Sequence, residues 1–316
     1  MQTQPALAAT PSAPPARSAP PALSPLMALK LVLATLCWGG TFIAGRILVQ
    51  SMPLMTAAFC RFLVAAVLLV VLAWRWEGGL PRLNRAQLLI TAALGLTGIF
   101  LYNVFFFGAL ARIPAGRTAL FVSLNPIMTA IAASIVFRER LGLKRWCGIA
   151  IDMAGALVVI TRGDLVGAYH DLSQSVGAGE IMMSCAVLSW AVYTLFSRKA
   201  METLSPVAAI TYATLWGLLF LLVAAAAEFR TVPWATFGPS VWLSVLYLGA
   251  LGTVAAFIWY YQGIKAVGPS RAAVFTNLVP AFGVLLAALI LGEPILISML
   301  VGGGLSALGV SLANRK

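Results

Sequence analysis

The side chains in this sequence that could recognise a ligand are amides, hydroxyls and aromatic rings set inside long apolar runs. Trp38, Tyr102, Asn103, Ser123, Asn125, Trp190, Tyr193, Trp259, Tyr260, Gln262 and Asn277 fall near the middle of such runs, and Phe42 follows Trp38 on the same one. Amides pair with the polar atoms of a small molecule and aromatic faces cover its apolar part, so together they can take a metabolite out of water. The binding candidates are Trp38, Phe42, Tyr102, Asn103, Ser123, Asn125, Trp190, Tyr193, Tyr260 and Asn277. For the rings the alternative is packing between helices. Trp74, Trp76, Trp146, Trp234 and Trp242 lie nearer the ends of their runs and fit an interfacial belt. For Asn103, Asn125 and Asn277 a binding role is favoured, because an amide facing lipid is costly.

Two charges, Arg61 and Asp152, lie deepest within apolar runs. An ion there is a functional candidate, since burying it unpaired is expensive. The structural alternative is preferred for both, because Arg61 is about two turns from a helix end and can reach the interface. Pro126 and Pro280 sit near the middle of their runs, where proline frees a carbonyl and kinks the helix, so both are candidates for hinge or gating positions. Catalytic signals are missing. The single histidine, His170, lies in a link, and HExxH, GxSxG and GxxxxGK[ST] patterns are absent. Cys37, Cys60, Cys147 and Cys185 lie in apolar segments without CxxC spacing and read as small buried hydrophobes. No enzyme, metal site or cofactor is expected.

The elements that hold these residues are membrane spans. The chain is 61% hydrophobic and 9% charged, against about 25% charged in a soluble domain. Its apolar runs approach the ~20 residues that cross a bilayer, and they recur from end to end. The net charge of +12 does not indicate nucleic acid, because the basic residues sit in short loops rather than on one stripe. Ten spans are expected, at 26–49, 54–74, 86–108, 115–137, 143–161, 178–197, 205–227, 239–263, 270–291 and 295–313. Residues 1–25 carry seven of the 17 prolines and are expected to be a disordered tail. They lack a charged start and a cleavage site, so the first span is expected to stay in the mature protein. With the N-terminus inside, the internal segments hold fifteen Lys and Arg and the external ones five, which places both termini in the cytoplasm.

The chain also contains one stretch twice. Arg117, Phe121, Leu124, Pro126, Glu139, Gly148 and Gly155 reappear 154 residues later as Arg271, Phe275, Leu278, Pro280, Glu293, Gly302 and Gly309. Seven identities at one offset argue for duplication. Five spans per half is an odd number, so the second copy enters the membrane inverted. Inverted repeats are a transporter architecture, because related halves can open a central site to either side in turn. Glu139 and Glu293 are expected to make loop ion pairs or to cap the helix that follows each. Arg117 and Arg271 are expected to anchor helix ends, and the paired glycines, seven apart, to make close helix contacts.

The chain resembles the drug/metabolite transporter superfamily in its EamA-type branch. The likeness spans 26–313 and rests on Trp38-Gly-Gly-Thr-Phe42, Arg61-Phe62, Asn125-Pro126 with Glu139, and the counterparts Trp190, Pro280 and Glu293-Pro294. It implies a secondary transporter of small metabolites, commonly an amino-acid exporter, in a bacterial inner membrane. It also implies a cavity lined by spans 1, 3, 4, 6, 8 and 9, with spans 5 and 10 at the periphery, which puts Asp152 on a peripheral helix.

The combined expectation is an all-α polytopic membrane protein: a tail at 1–25, a five-helix repeat at 26–161, an external linker at 162–177 and an inverted repeat at 178–313. Its function is export of amino acids or similar metabolites by alternating access. The alternatives are a drug or other metabolite exporter and, in a different class, a non-transporting sensor or scaffold. Expected partners are a small-molecule substrate and the lipid bilayer, with no nucleic acid and a monomer as the unit. The repeat's two ends face opposite sides, so only its middles, near Asn125-Pro126 and Asn277 to Pro280, are expected to meet.

Overall fold

The computed structural model describes residues 24–137, 143–164, 176–267 and 275–314. The described residues are helical and contain no strand. Ten helical stretches appear where the spans were expected. They are α1 (Pro25–Ser51), α2 (Leu54–Glu77), α3 (Arg85–Leu94, Gly95–Leu101 and Tyr102–Leu110), α4 (Ala115–Leu120, Phe121–Leu124 and Asn125–Phe137) and α5 (Leu143–Ile160). The second half has α6 (Ala178–Ala200), α7 (Pro206–Ala225), α8 (Pro239–Leu246, Tyr247–Ala255 and Ala256–Val267), α9 (Leu278–Leu291) and α10 (Ile297–Asn314). Residues 1–23, most of the linker with His170, Glu139 and Arg271 lie outside the described residues.

Local chemistry sets the helix ends. Ser24 and Ser205 accept hydrogen bonds from the backbone N–H of Met27 and Ala208, and proline follows each serine at the first helical position. Asn84 and Gln87 form a reciprocal capping box at the start of α3. Gly78 and Gly292 close α2 and α9 in the left-handed region, at φ of 73° and 67°. Between these caps each helix satisfies its own backbone, the condition for crossing hydrocarbon. The outer surface is apolar, with Leu89, Val223, Leu289 and Ile297 each more than two-thirds exposed. Trp74, Trp76, Trp146, Trp234 and Trp242 are exposed, as a belt requires. The cysteines are free; Cys60 is buried and Cys147 exposed, so the reading of all four as buried holds only in part.

The halves interlock. α3 of the first half packs on α6 and α7, and α8 of the second half packs on α1 and α2. α5 and α10 pair with each other. A Cβ added to Gly155 would lie 2.6 Å from the Gly302 carbonyl oxygen, and one added to Gly309 would lie 2.6 Å from that of Gly148. The pairs run in opposite order along the two helices, so the helices are antiparallel and the halves inverted. Ser306 donates to the Asp152 carbonyl at 3.4 Å, and these two residues are equivalent in the repeat. The pseudo-two-fold axis therefore passes between them.

Charged groups tie the halves together at one face. Glu293 accepts from the Ala115 and Gly116 N–H groups at 2.8 and 2.9 Å, so it caps α4 of the other half and not the helix that follows it. The reason is geometric: the start of α4 offers free N–H groups beside the end of α9. Arg117 is buried and pairs with Glu180 at 2.9 Å, and also donates to the Val159 and Ile160 carbonyls. Glu228 accepts from the Thr56 N–H and hydroxyl at the start of α2.

Replacing Gly302 by isoleucine should break the α5–α10 seam. The loss should be at least the ~1–3 kcal/mol of an overpacked core, because the obstacle is backbone. Gly304→Ile, whose added Cβ would meet nothing within 4 Å, is the matched control. Thermal midpoints in detergent should fall for the first and not for the second.

Candidate functional site

The site begins with a departure from regular helix. Residues Gly95–Leu101 in α3 and Tyr247–Ala255 in α8 are π-helical, a geometry that recurs at functional sites. Each begins or contains a glycine pair, Gly95-Leu-Thr-Gly98 and Gly249-Ala-Leu-Gly252, at the same offset of 154 residues. Gly98 gives Tyr193 of α6 room to approach, and Gly252 does the same for Thr41 of α1. Beyond the first π segment, Asn103 donates to the Ile99 carbonyl at 2.6 Å. In the second, Thr253 donates to the Leu248 carbonyl five residues back at 2.8 Å.

Arg61 of α2 reaches between the two π segments. It donates to Asn103 Oδ1 at 3.1 Å and to Thr253 Oγ1 at 3.4 Å. Its guanidinium carbon lies 4.9 Å from the centre of the Phe62 ring. Arg61 is 8% exposed and Asn103 1%, so the arginine does not reach the membrane surface. It does not pair with Asp152, which is buried in the α5–α10 seam.

These residues wall a cavity between the halves. Arg61, Phe62, Gly98, Ile99, Tyr102 and Asn103 come from the first half; Trp190, Tyr193, Ile210, Thr214, Thr253 and Phe257 come from the second. The centre of a water-sized sphere can move through ≈ 40 Å³ of it, where one water needs about 10–15 Å³. A few waters fit, and an amino acid does not until the walls part. Ring contacts continue the aromatic wall. Trp190 lies 5.3 Å from Tyr102, 5.1 Å from Tyr193 and 6.3 Å from Phe257. Trp38 lies 5.5 Å from Phe257 and 5.2 Å from Tyr260, and Phe42 contacts Phe106, which stacks on Tyr102.

Of the candidates read from sequence, Tyr102, Asn103, Trp190 and Tyr193 line the cavity. Trp38, Phe42 and Tyr260 join it through rings. Ser123 is turned to its own helix, donating to Leu120 at 2.7 Å, and Gln262 is exposed and accepts from Lys30 at 2.9 Å. Asn125 keeps a buried oxygen without a partner but lies off this wall, and Asn277 occupies the cap position of α9 without a side-chain cap bond. Helical order does change beside both prolines: a 3₁₀ segment, Phe121–Leu124, precedes Pro126, and a turn at Asn277 precedes Pro280. The cavity is not built from those breaks. Spans 3, 6 and 8 contribute as the resemblance implied; spans 2 and 7 contribute as well, and spans 1, 4 and 9 supply no wall residue here. Sequence reasoning missed Phe62, Gly98, Ile99, Ile210, Thr214, Thr253 and Phe257 as wall residues. The repeated Gly-x-x-Gly was the signal that could have found Gly98, Ile99 and Thr253.

The sequence matches the EamA-like transporter family over residues 25–161 and again over 177–315. The chain belongs to the EamA-like transporter family. The double match restates the duplication. Among curated relatives, this family member is 29% identical to the Bacillus subtilis transporter YyaM, across 87% of its own length and 89% of that protein. It is 28% identical to a probable terminal-alkyne amino-acid exporter of Streptantibioticus cattleyicolor, covering 90% and 92%, and 28% identical to a probable amino-acid metabolite efflux pump of Salmonella typhimurium, covering 88% and 91%. A solved crystal structure shares the fold at a TM-score of 0.63 and 18% identity, covering 91% of this chain and 96% of that one. The protein is thus a multi-pass membrane transporter.

Replacing Asn103 by leucine should leave Arg61 short of an acceptor inside the bilayer, costing about 1–3 kcal/mol or more for a charged group. Ser123→Ala removes only a bond within one helix and should cost less. Thermal midpoints of the two purified variants test the order.

Proposed function

We propose that this transporter exports amino acids or similar small metabolites across a bacterial inner membrane by alternating access through the central cavity. The observation that carries the reading is the cavity itself. It lies between the halves, draws six wall residues from each, and combines an Arg–Asn–Thr cluster with several aromatic rings. A small molecule with polar groups and an apolar body matches that combination. Two relatives bear names of amino-acid exporters, which favours the same class. In this reading the five-helix repeats 26–161 and 178–313, joined by 162–177, are the moving units, and Pro126 and Pro280 let spans 4 and 9 bend. The excess of Lys and Arg in one set of loops favours cytoplasmic termini.

A permanent cation is a poorer fit, since the wall carries Arg61 and no carboxylate. With no phosphate-binding loop in the sequence, a gradient or exchange is the expected driving force.

Purified protein in liposomes, loaded with a mixture of amino acids, should release at least one of them faster than empty liposomes do. Equal leak for every amino acid and related metabolite would sink the proposal. Trp190→Ala should lower that flux about tenfold or more, equivalent to ~1.4 kcal/mol of lost contact, with folded yield intact. Asn125→Ala separates a second role at the helix break from packing: a fall in flux at normal yield places it in the transport cycle, and an equal fall in yield makes it structural.

A further inference from the structure

The charge in the cavity has no counter-charge. Arg61 is buried and its two acceptors, Asn103 and Thr253, are neutral. Its Nε has no partner, and neither has the buried hydroxyl of Thr214 on the same wall. None of the twelve wall residues is acidic, and among the described residues the ion pair is Arg117–Glu180, at the end of α4. A guanidinium held in low dielectric without an anion is costly, and the cost falls when an anion enters beside it. Arginine offers a planar fork of donors that matches a carboxylate, which a lysine ammonium does not.

We propose that Arg61 is the carboxylate-binding residue of the cavity, and that its ligands are small monocarboxylates whose apolar body lies against Trp190 and Phe257. The proposal rests on the transporter reading above and narrows it. The ligand's carboxylate, rather than an amine, is the group recognised, so amides and amines of the same shape bind more weakly beside Arg61. The free Nε–H and the Thr214 hydroxyl supply donors that the protein itself leaves unused. Asn103 and Thr253 act as positioning residues, holding the guanidinium between the two π segments.

The test compares three probes with one apolar body, 3-phenylpropionate, 3-phenylpropanamide and 3-phenylpropylamine, on the purified full chain in detergent. Dissociation constants come from tryptophan fluorescence and from the shift in thermal midpoint. The wild type should bind the carboxylate about tenfold or more tightly than the other two, a difference of ~1.4 kcal/mol. Arg61→Gln should erase that preference, and Arg61→Lys, which keeps charge but loses the fork, should reduce it. An amide or amine that binds the wild type as tightly as the carboxylate overturns the assignment, and so does failure of the carboxylate to bind. Preference surviving in Arg61→Gln overturns it too. If Arg61→Gln does not fold, the wild-type series and Arg61→Lys still decide. Binding is read apart from flux, so liposomes that export amino acids with no Arg61-dependent preference leave the transporter reading standing and remove only this assignment.

Discussion

Lipid offers no hydrogen bonds, and that absence governs how this chain can be arranged. Each polar group carried into the bilayer must find a partner in protein. Glu293 finds two free N–H groups at the start of α4, Arg117 finds Glu180 and the carbonyls that end α5, and Glu228 finds Thr56 at the start of α2. In each case at least one partner belongs to the other half. The requirement to satisfy polar atoms therefore also joins the two repeats, which lipid-facing leucines alone would not do.

Where the requirement is met incompletely, the exceptions are informative. Arg61 Nε and the Thr214 hydroxyl are buried without partners on the cavity wall, whereas the unpartnered Asp152 oxygens lie in the α5–α10 seam. The frame around the cavity is symmetric and its chemistry is not. Ile99 and Thr253 are equivalent in the repeat, as are Asn103 and Phe257, and all four line the wall. Duplication kept the two π segments and the glycines that let neighbours approach. Divergence then gave one half the cation and its amide and the other half the two threonine hydroxyls and the Phe257 ring. A symmetric wall would bind a symmetric ligand. This one offers a ligand different groups from its two halves.

The spans, their number and close helix contacts at the paired glycines were legible in the sequence, because hydrocarbon thickness and glycine spacing impose themselves locally; that α5 and α10 pair with each other was not. The cavity was legible only in part. Asn103 and Asn125 are both mid-span amides, and sequence alone gives them equal standing; one lines the cavity and the other does not, because the rotation of each helix is set by its neighbours. Arg61 invited a snorkelling account on its distance from the helix end. It turns inward because Asn103 and Thr253, 42 and 192 residues away in sequence, supply acceptors there. Glu293 capped a helix as expected, but the wrong one was expected, since the nearest N–H groups in space are not the nearest along the chain.

The two membrane faces are not fastened alike. At the face where α3 meets α4 and α9 meets α10, the cross-half contacts are charged, with Arg117–Glu180 buried and those of Glu293 and Glu228 part-buried. At the other, among the described residues, they are exposed: Lys30 with Gln262, Ser205 with Glu77, and Tyr212 with the Pro81 carbonyl. Exposed polar contacts contribute roughly 0–1 kcal/mol each, while separating a buried ion pair costs about 3–5 kcal/mol. Among the described residues, the contacts across the second face are therefore individually weaker than the buried ion pair at the first.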